Sequence, residues 1–207
     1  MKALILILLI ALVSSESNLR NLGFIYNCEK TYVIKSITAL GSTVTFKERV
    51  GVKNGNAFCQ FIISSNLGTQ TFGISGASSA ISKTYSVTSN LMKFNFPSSP
   101  ALQILLKASG SLSCSIKESS GKLILTLSGS LYAKGDITEG FSHFASVSLS
   151  PKGTIITFNH SFTIDSSNQI SRSGKASGGA VSILIEGKLL DKNVFKKTQT
   201  LWSGWNA

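Results

Sequence analysis

The chain predicts an all-β fold, a single antiparallel β-barrel first and a two-sheet sandwich second, built mainly from a long-stranded meander. Three observations predict it. Every even position from Leu102 to Ile116 is apolar or small, an Asn-Gly pair sits between two β-rich runs of matching parity, and turn residues recur between further alternating runs. Successive strand side chains point to opposite faces, so Leu102, Ile104, Leu106, Ala108, Gly110, Leu112, Cys114 and Ile116 share an apolar face. Gln103, Lys107, Ser109, Ser111, Ser113, Ser115 and Lys117 share the polar one.

At the start of the chain, Lys2, an apolar run from Ala3 to Val13 and then Ser14, Ser15, Glu16 and Ser17 have the layout of a secretory signal peptide over residues 1–17. The run is too short to span a bilayer as a helix. Residues 18–207 then form a single all-β domain with an irregular C-terminal tail from about residue 191, and secretion to an extracellular setting is expected.

Taken in order, Tyr32 to Thr38 and Ser42 to Val52 read as β-rich runs. Asn54-Gly55 closes a hairpin, because both residues tolerate the positive φ of a type I′ turn. That register sets Val52 opposite Ala57, Val50 opposite Cys59 and Phe46 opposite Ile63, which brings the apolar parities together. A further strand covers Thr69 to Ile74. From Ile81 the apolar residues are odd and from Met92 they are even, which predicts a β-bulge near Leu91.

After Gly121, Leu123 to Ala133 show an odd apolar face, and Phe141 to Leu149 repeat it. Ile156 to Ile164 follow on even positions, a polar run passes through Arg172 and Lys175, and Val181 to Leu189 close the pattern. Pairing each run with the next sets Gly110 opposite Gly129, Gly129 opposite Ala145, Ala145 opposite His160 and His160 opposite Gly174. Such a row of small residues predicts sharply coiled strands.

The formal net charge is +11, and removal of residues 1–17 takes one lysine and one glutamate and leaves it unchanged. That balance favours an anionic lipid or polysaccharide partner. Nucleic acid is excluded as a partner by the expected secretion and by the lack of a zinc-finger spacing or basic helix. In a meander, alternate turns lie at the same end, so Lys117, Lys122, Lys152 and Lys175 are expected at one rim, opposed only by Glu118. Asp136, Glu139 and Asp165 gather at the other with Lys134.

Three cysteines enter an oxidising compartment, and a Cys28–Cys59 disulfide is expected to tie down the entry segment, with Cys114 buried as a thiol. The histidines, His143 and His160, fall on the apolar face without a third ligand, so no metal and no cofactor is expected. Asn159-His160-Ser161 makes Asn159 a glycosylation acceptor. No nucleophile elbow, phosphate loop or His-Glu-x-x-His occurs, so the chain is not expected to be an enzyme.

These readings converge on a secreted non-catalytic binding protein, for an apolar small molecule in a barrel interior or an anionic partner at the lysine rim. One alternative is a self-assembling structural or adhesive extracellular β protein. Another is a transmembrane β-barrel with its leucines facing lipid.

Overall fold

The computed structural model describes residues 26–76, 80–140 and 144–207. The leader expected over residues 1–17 and the side chain of His143 lie outside the described residues. The elements run β1 (Cys28–Ala39), β2 (Ser42–Lys53), β3 (Asn56–Ser65), β4 (Gly68–Gly76), β5 (Ala80–Phe96), β6 (Ser99–Ser119) and β7 (Lys122–Glu139). They continue with β8 (Phe144–Lys152), β9 (Thr154–Ile164), β10 (Ile170–Gly178), β11 (Val181–Leu189), β12 (Val194–Trp202) and β13 (Trp205–Asn206).

Three antiparallel sheets result. The first has the order β1-β2-β3-β4, the large sheet β13-β10-β9-β7-β6-β5, and the outlying sheet β12-β11-β8. None closes into a barrel, which corrects the first architectural expectation. The physical reason lies in where the apolar faces go: the large sheet covers its own with the first sheet, so β5 and β13 remain open edges instead of meeting.

The first sheet grows from the Asn54-Gly55 turn, where φ is 52° and 76° as a type I′ hairpin requires. Val52 pairs with Ala57, Val50 with Cys59 and Phe46 with Ile63, the register that apolar parity demands. In the large sheet, the β5–β6 register shifts between Asn90 and Met92. The bulge turns two consecutive residues, Leu91 and Met92, into the interior, where both are buried.

Between the layers, Phe61 of β3 stacks on Phe158 of β9 with centroids 4.7 Å apart and an interplanar angle of 11°. Tyr32 of β1 packs on Phe162 with centroids at 5.5 Å. Three phenols stitch the layers by donating to backbone carbonyls: Tyr26 to Gly121 at 3.2 Å, Tyr32 to Ile170 at 3.2 Å, and Tyr85 to Gly73. Leu112, Leu125 and Leu127 are buried in this interior, while Ser113 and Ser128 belong to the opposite face.

Three further expectations are corrected. β7 pairs directly with β9, and β8 leaves to flank β11 in the outlying sheet, so the expected neighbours Gly129 and Ala145 part company. Gly110 faces Leu131 and Gly129 faces Leu112, because the chain reverses tightly through Ser120 and Gly121, both at positive φ, and not through a wider turn. His160 does pair with Gly174. The tail from residue 191 is regular, since β12 pairs with β11 and β13 adds to β10.

Candidate functional site

Two arrangements of polar side chains stand out, one on the surface and one inside. The outer face of the large sheet follows from the serine parity of β6 and its neighbours. Ser82, Ser115, Thr126, Ser161 and Ser173 form one row across the strands, and Thr84, Ser113, Ser128, Asn159 and Lys175 form the next. A third row holds Ser86, Ser111, Ser130, Thr157 and Ser177. Strand geometry spaces such rows by about 7 Å and the residues within a row by about 4.8 Å.

Hydroxyl pairs link neighbouring strands, Thr84 to Ser113 at 2.9 Å, Ser130 to Thr157 at 3.5 Å, and Ser115 to Thr126. Lys117 pairs with Ile124 on this same face, Lys122 stands beside Ser119 at its end, and Lys175 sits beside Asn159. All three lysines are exposed, and none has an ion-pair partner among the described residues. Tyr132, 53% exposed, adds an aromatic ring opposite Ser109.

Lys152 does not join them. It ends β8 opposite Ser182 in the outlying sheet, so the expected four-lysine rim is not formed. The cause is the departure of β8: once β7 pairs with β9, every later turn changes ends, so Asp165, expected at the opposite rim, comes to the end of the sheet where Lys122 stands, while Lys175 lies within β10 opposite Asn159. Asp136 is held by Lys107 on the large sheet, and Glu186 by Lys196 at 3.1 Å on the outlying one.

The interior arrangement is a cluster of charge. Glu48 lies on β2 among Phe46, Val50 and Val52, and His160 lies on β9 between Phe158 and Phe162. Both are buried. His160 Nδ1 is 2.6 Å from Glu48 Oε1, and Arg172 Nη2 is 3.0 Å from Glu48 Oε2 and 3.0 Å from both ring nitrogens. The guanidinium enters over the ring of Tyr32, with 5.3 Å from its carbon to the centroid.

Burial pushes the Glu48 carboxyl up to about 7, and Arg172 pulls it partly back. Burial and the same guanidinium lower His160 to about 4. Near neutral pH the imidazole is therefore neutral. With its proton on Nδ1 it donates to the Glu48 carboxylate and accepts from Arg172 at Nε2. The cluster holds a proton between the sheets without presenting it to solvent.

A signal for this cluster was present in the sequence: Glu48 and Arg172 both sit at positions of apolar parity, where a charge requires a partner. Parity alone does not join them, because their strands are distant in the chain. Among the described residues no three metal-binding side chains gather.

The cysteines are placed differently from the expectation. β2 lies between Cys28 of β1 and Cys59 of β3, which sets their α-carbons at least about 9.6 Å apart, beyond the roughly 7 Å reach of a disulfide. All three are thiols in this structure. Cys59 instead faces the large sheet, where its thiol reaches the carbonyl oxygen of Thr126, beside Cys114's partner Leu127. Asn159 is exposed on the hydroxyl face. Compared with protein families, with curated proteins and with solved structures, the chain finds no match in any of the three.

Proposed function

We propose that this is a secreted, non-catalytic binding protein that lays an acidic polysaccharide across the outer face of the large sheet. The fold is then read as a two-sheet sandwich carrying an outlying sheet, with the binding surface on the far side of one layer. The observation that carries the reading is the sharing of one face by Lys117, Lys122, Lys175 and rows of hydroxyls. Lys117 and Lys175 lie roughly 20 Å apart by strand spacing and rise, a span that suits an extended polyanion better than a small ion. Hydroxyls and the Tyr132 ring offer the hydrogen bonds and the apolar platform that sugars use, and an apolar wedge for entering lipid is lacking on the three serine-rich rows.

The interior supports this over a ligand-filled cavity, because Phe46, Phe61, Phe162 and the leucines occupy it. Leucines turned inward and serines outward also run against a lipid-facing barrel. The edge strand β5 exposes Lys83 and Lys93, charges that disfavour addition of a strand from another copy.

The test is retention of the mature chain on an immobilised sulfated polysaccharide, eluted with salt. Lys117, Lys122 and Lys175 changed together to serine should weaken binding between roughly tenfold and a hundredfold, at up to about 1 kcal/mol for each exposed charge contact. Lys152→Ser with Lys188→Ser, on the outlying sheet, should change it little. An equal loss from both sets would replace a defined face with diffuse charge and overturn the proposal. A glycan on Asn159 would stand beside Lys175, so each protein is also measured with Asn159→Gln.

A further inference from the structure

Cys59 and Cys114 come from different sheets and from distant parts of the chain, yet they converge. Cys59 is on β3, paired within its sheet to Val50 and Ile74. Cys114 is on β6, paired to Leu127 of β7. Both thiols are buried, Cys59 at 0% and Cys114 at 1% exposure. The Cys59 thiol donates to the carbonyl oxygen of Thr126 at 3.7 Å, and Thr126 pairs with Ser115, the residue after Cys114. Cys114 itself pairs with Leu127, the residue after Thr126, so the strand carrying it runs directly beside the carbonyl that the Cys59 thiol reaches.

We propose that Cys59 and Cys114 form a disulfide that bolts the first sheet to the large sheet, leaving Cys28 as the free thiol. Each side chain lies on the inward face of its own sheet, the placement by which a disulfide can join two facing sheets. Cys28 cannot compete for Cys59, since β2 stands between them.

The step balances as a thiol–disulfide exchange with a small-molecule disulfide as oxidant. One thiolate attacks that disulfide and releases one reduced thiol. The second cysteine's thiolate then displaces the other half, so two protein thiols become one S–S bond. The oxidant is reduced to two thiols, which take up the two protons that the cysteines give up. The neighbouring Cys114 and burial push the Cys59 thiol up, which starves the closed protein of thiolate. The exchange therefore belongs to folding, before the layers close, and the finished bond is shielded from reductants.

The inference does not depend on the binding face, and its test runs in a defined redox buffer. The full chain without residues 1–17 is refolded with reduced and oxidised glutathione, denatured, alkylated and mapped by mass spectrometry. One alkylated cysteine, Cys28, and a Cys59–Cys114 linked peptide are expected, in the native sequence and in Cys28→Ser alike. Three alkylated cysteines in protein that has refolded, or a linked peptide containing Cys28, would overturn it. Reduction should lower the melting temperature by about 10 °C for a loop of this length. The Cys59→Ser and Cys114→Ser variants should melt with the reduced protein and show no further response to reductant. A response retained in either variant would also count against the bond.

Discussion

At the scale of single residues, the buried pair Glu48 and His160 makes opposite demands on pH. The Glu48 carboxyl, at about 7 in the folded protein against an ordinary 4.5, keeps a proton that the unfolded chain has already released. Its contribution is full below about pH 4.5 and is lost as pH rises through 7. His160, at about 4 against 6.5, behaves in reverse: its contribution is full above about pH 6.5 and is lost as pH falls through 4. Each displacement is worth about 3 kcal/mol, so where the two windows overlap the slopes cancel and this pair leaves the native protein's stability nearly flat. Glu48→Gln should therefore tilt the profile upward from pH 4 to 6.5, and His160→Gln should tilt it downward from pH 4.5 to 7, each by about 3 kcal/mol. Urea midpoints at acid, intermediate and neutral pH measure both slopes. Parallel profiles for all three proteins would show that the pair does not titrate this way.

At the scale of elements, the hairpin of β2 and β3 depends on two residues at positive φ, Asn54 at 52° and Gly55 at 76°. Gly55→Ala places a Cβ in a left-handed conformation at a cost of about 1–2 kcal/mol. Nothing crowds the site within 4 Å, so the loss should come from backbone strain alone. A fall in melting temperature of about 5 °C is expected, with the spectrum of the folded state unchanged. This hairpin was legible from the sequence because turn chemistry and parity speak about neighbours in the chain. So was the bulge at Leu91, which announces itself as a change of phase within one strand. The pairing of β7 with β9 was not legible. Local alternation states which face a residue takes but not which strand lies beside it, and β8 has the same rhythm whether it stays in the meander or leaves. The lysine rim failed for that reason, although Lys117, Lys122 and Lys175 kept the polar face that their parity assigned. Glu48, His160 and Arg172 were hidden by the same limit, since their meeting depends on how sheets stack.

At the scale of the whole molecule, the first sheet and the large sheet have no cores of their own. Each covers the other, and the Phe61–Phe158 stack lies in the seam. Removing one ring leaves a cavity and should cost about 3–5 kcal/mol for Phe61→Ala or Phe158→Ala. The decisive quantity is the pair. Rings stacked 4.7 Å apart gain about 0.5–1.5 kcal/mol beyond the area they bury, and the second truncation cannot lose a contact already gone. The double variant should therefore be less destabilised than the sum of the singles by about 1 kcal/mol. Urea unfolding of the four proteins closes the cycle, and Phe46→Ala with Phe158→Ala provides a comparison, since among the described residues Phe46 stacks on Phe61, at 6.2 Å, and not on Phe158. Additive losses for Phe61 and Phe158 would mean that the two layers do not meet at these rings. With them would fall the inward placement of Cys59 beside its partner in the large sheet, because Cys59 and Phe61 share one face of β3.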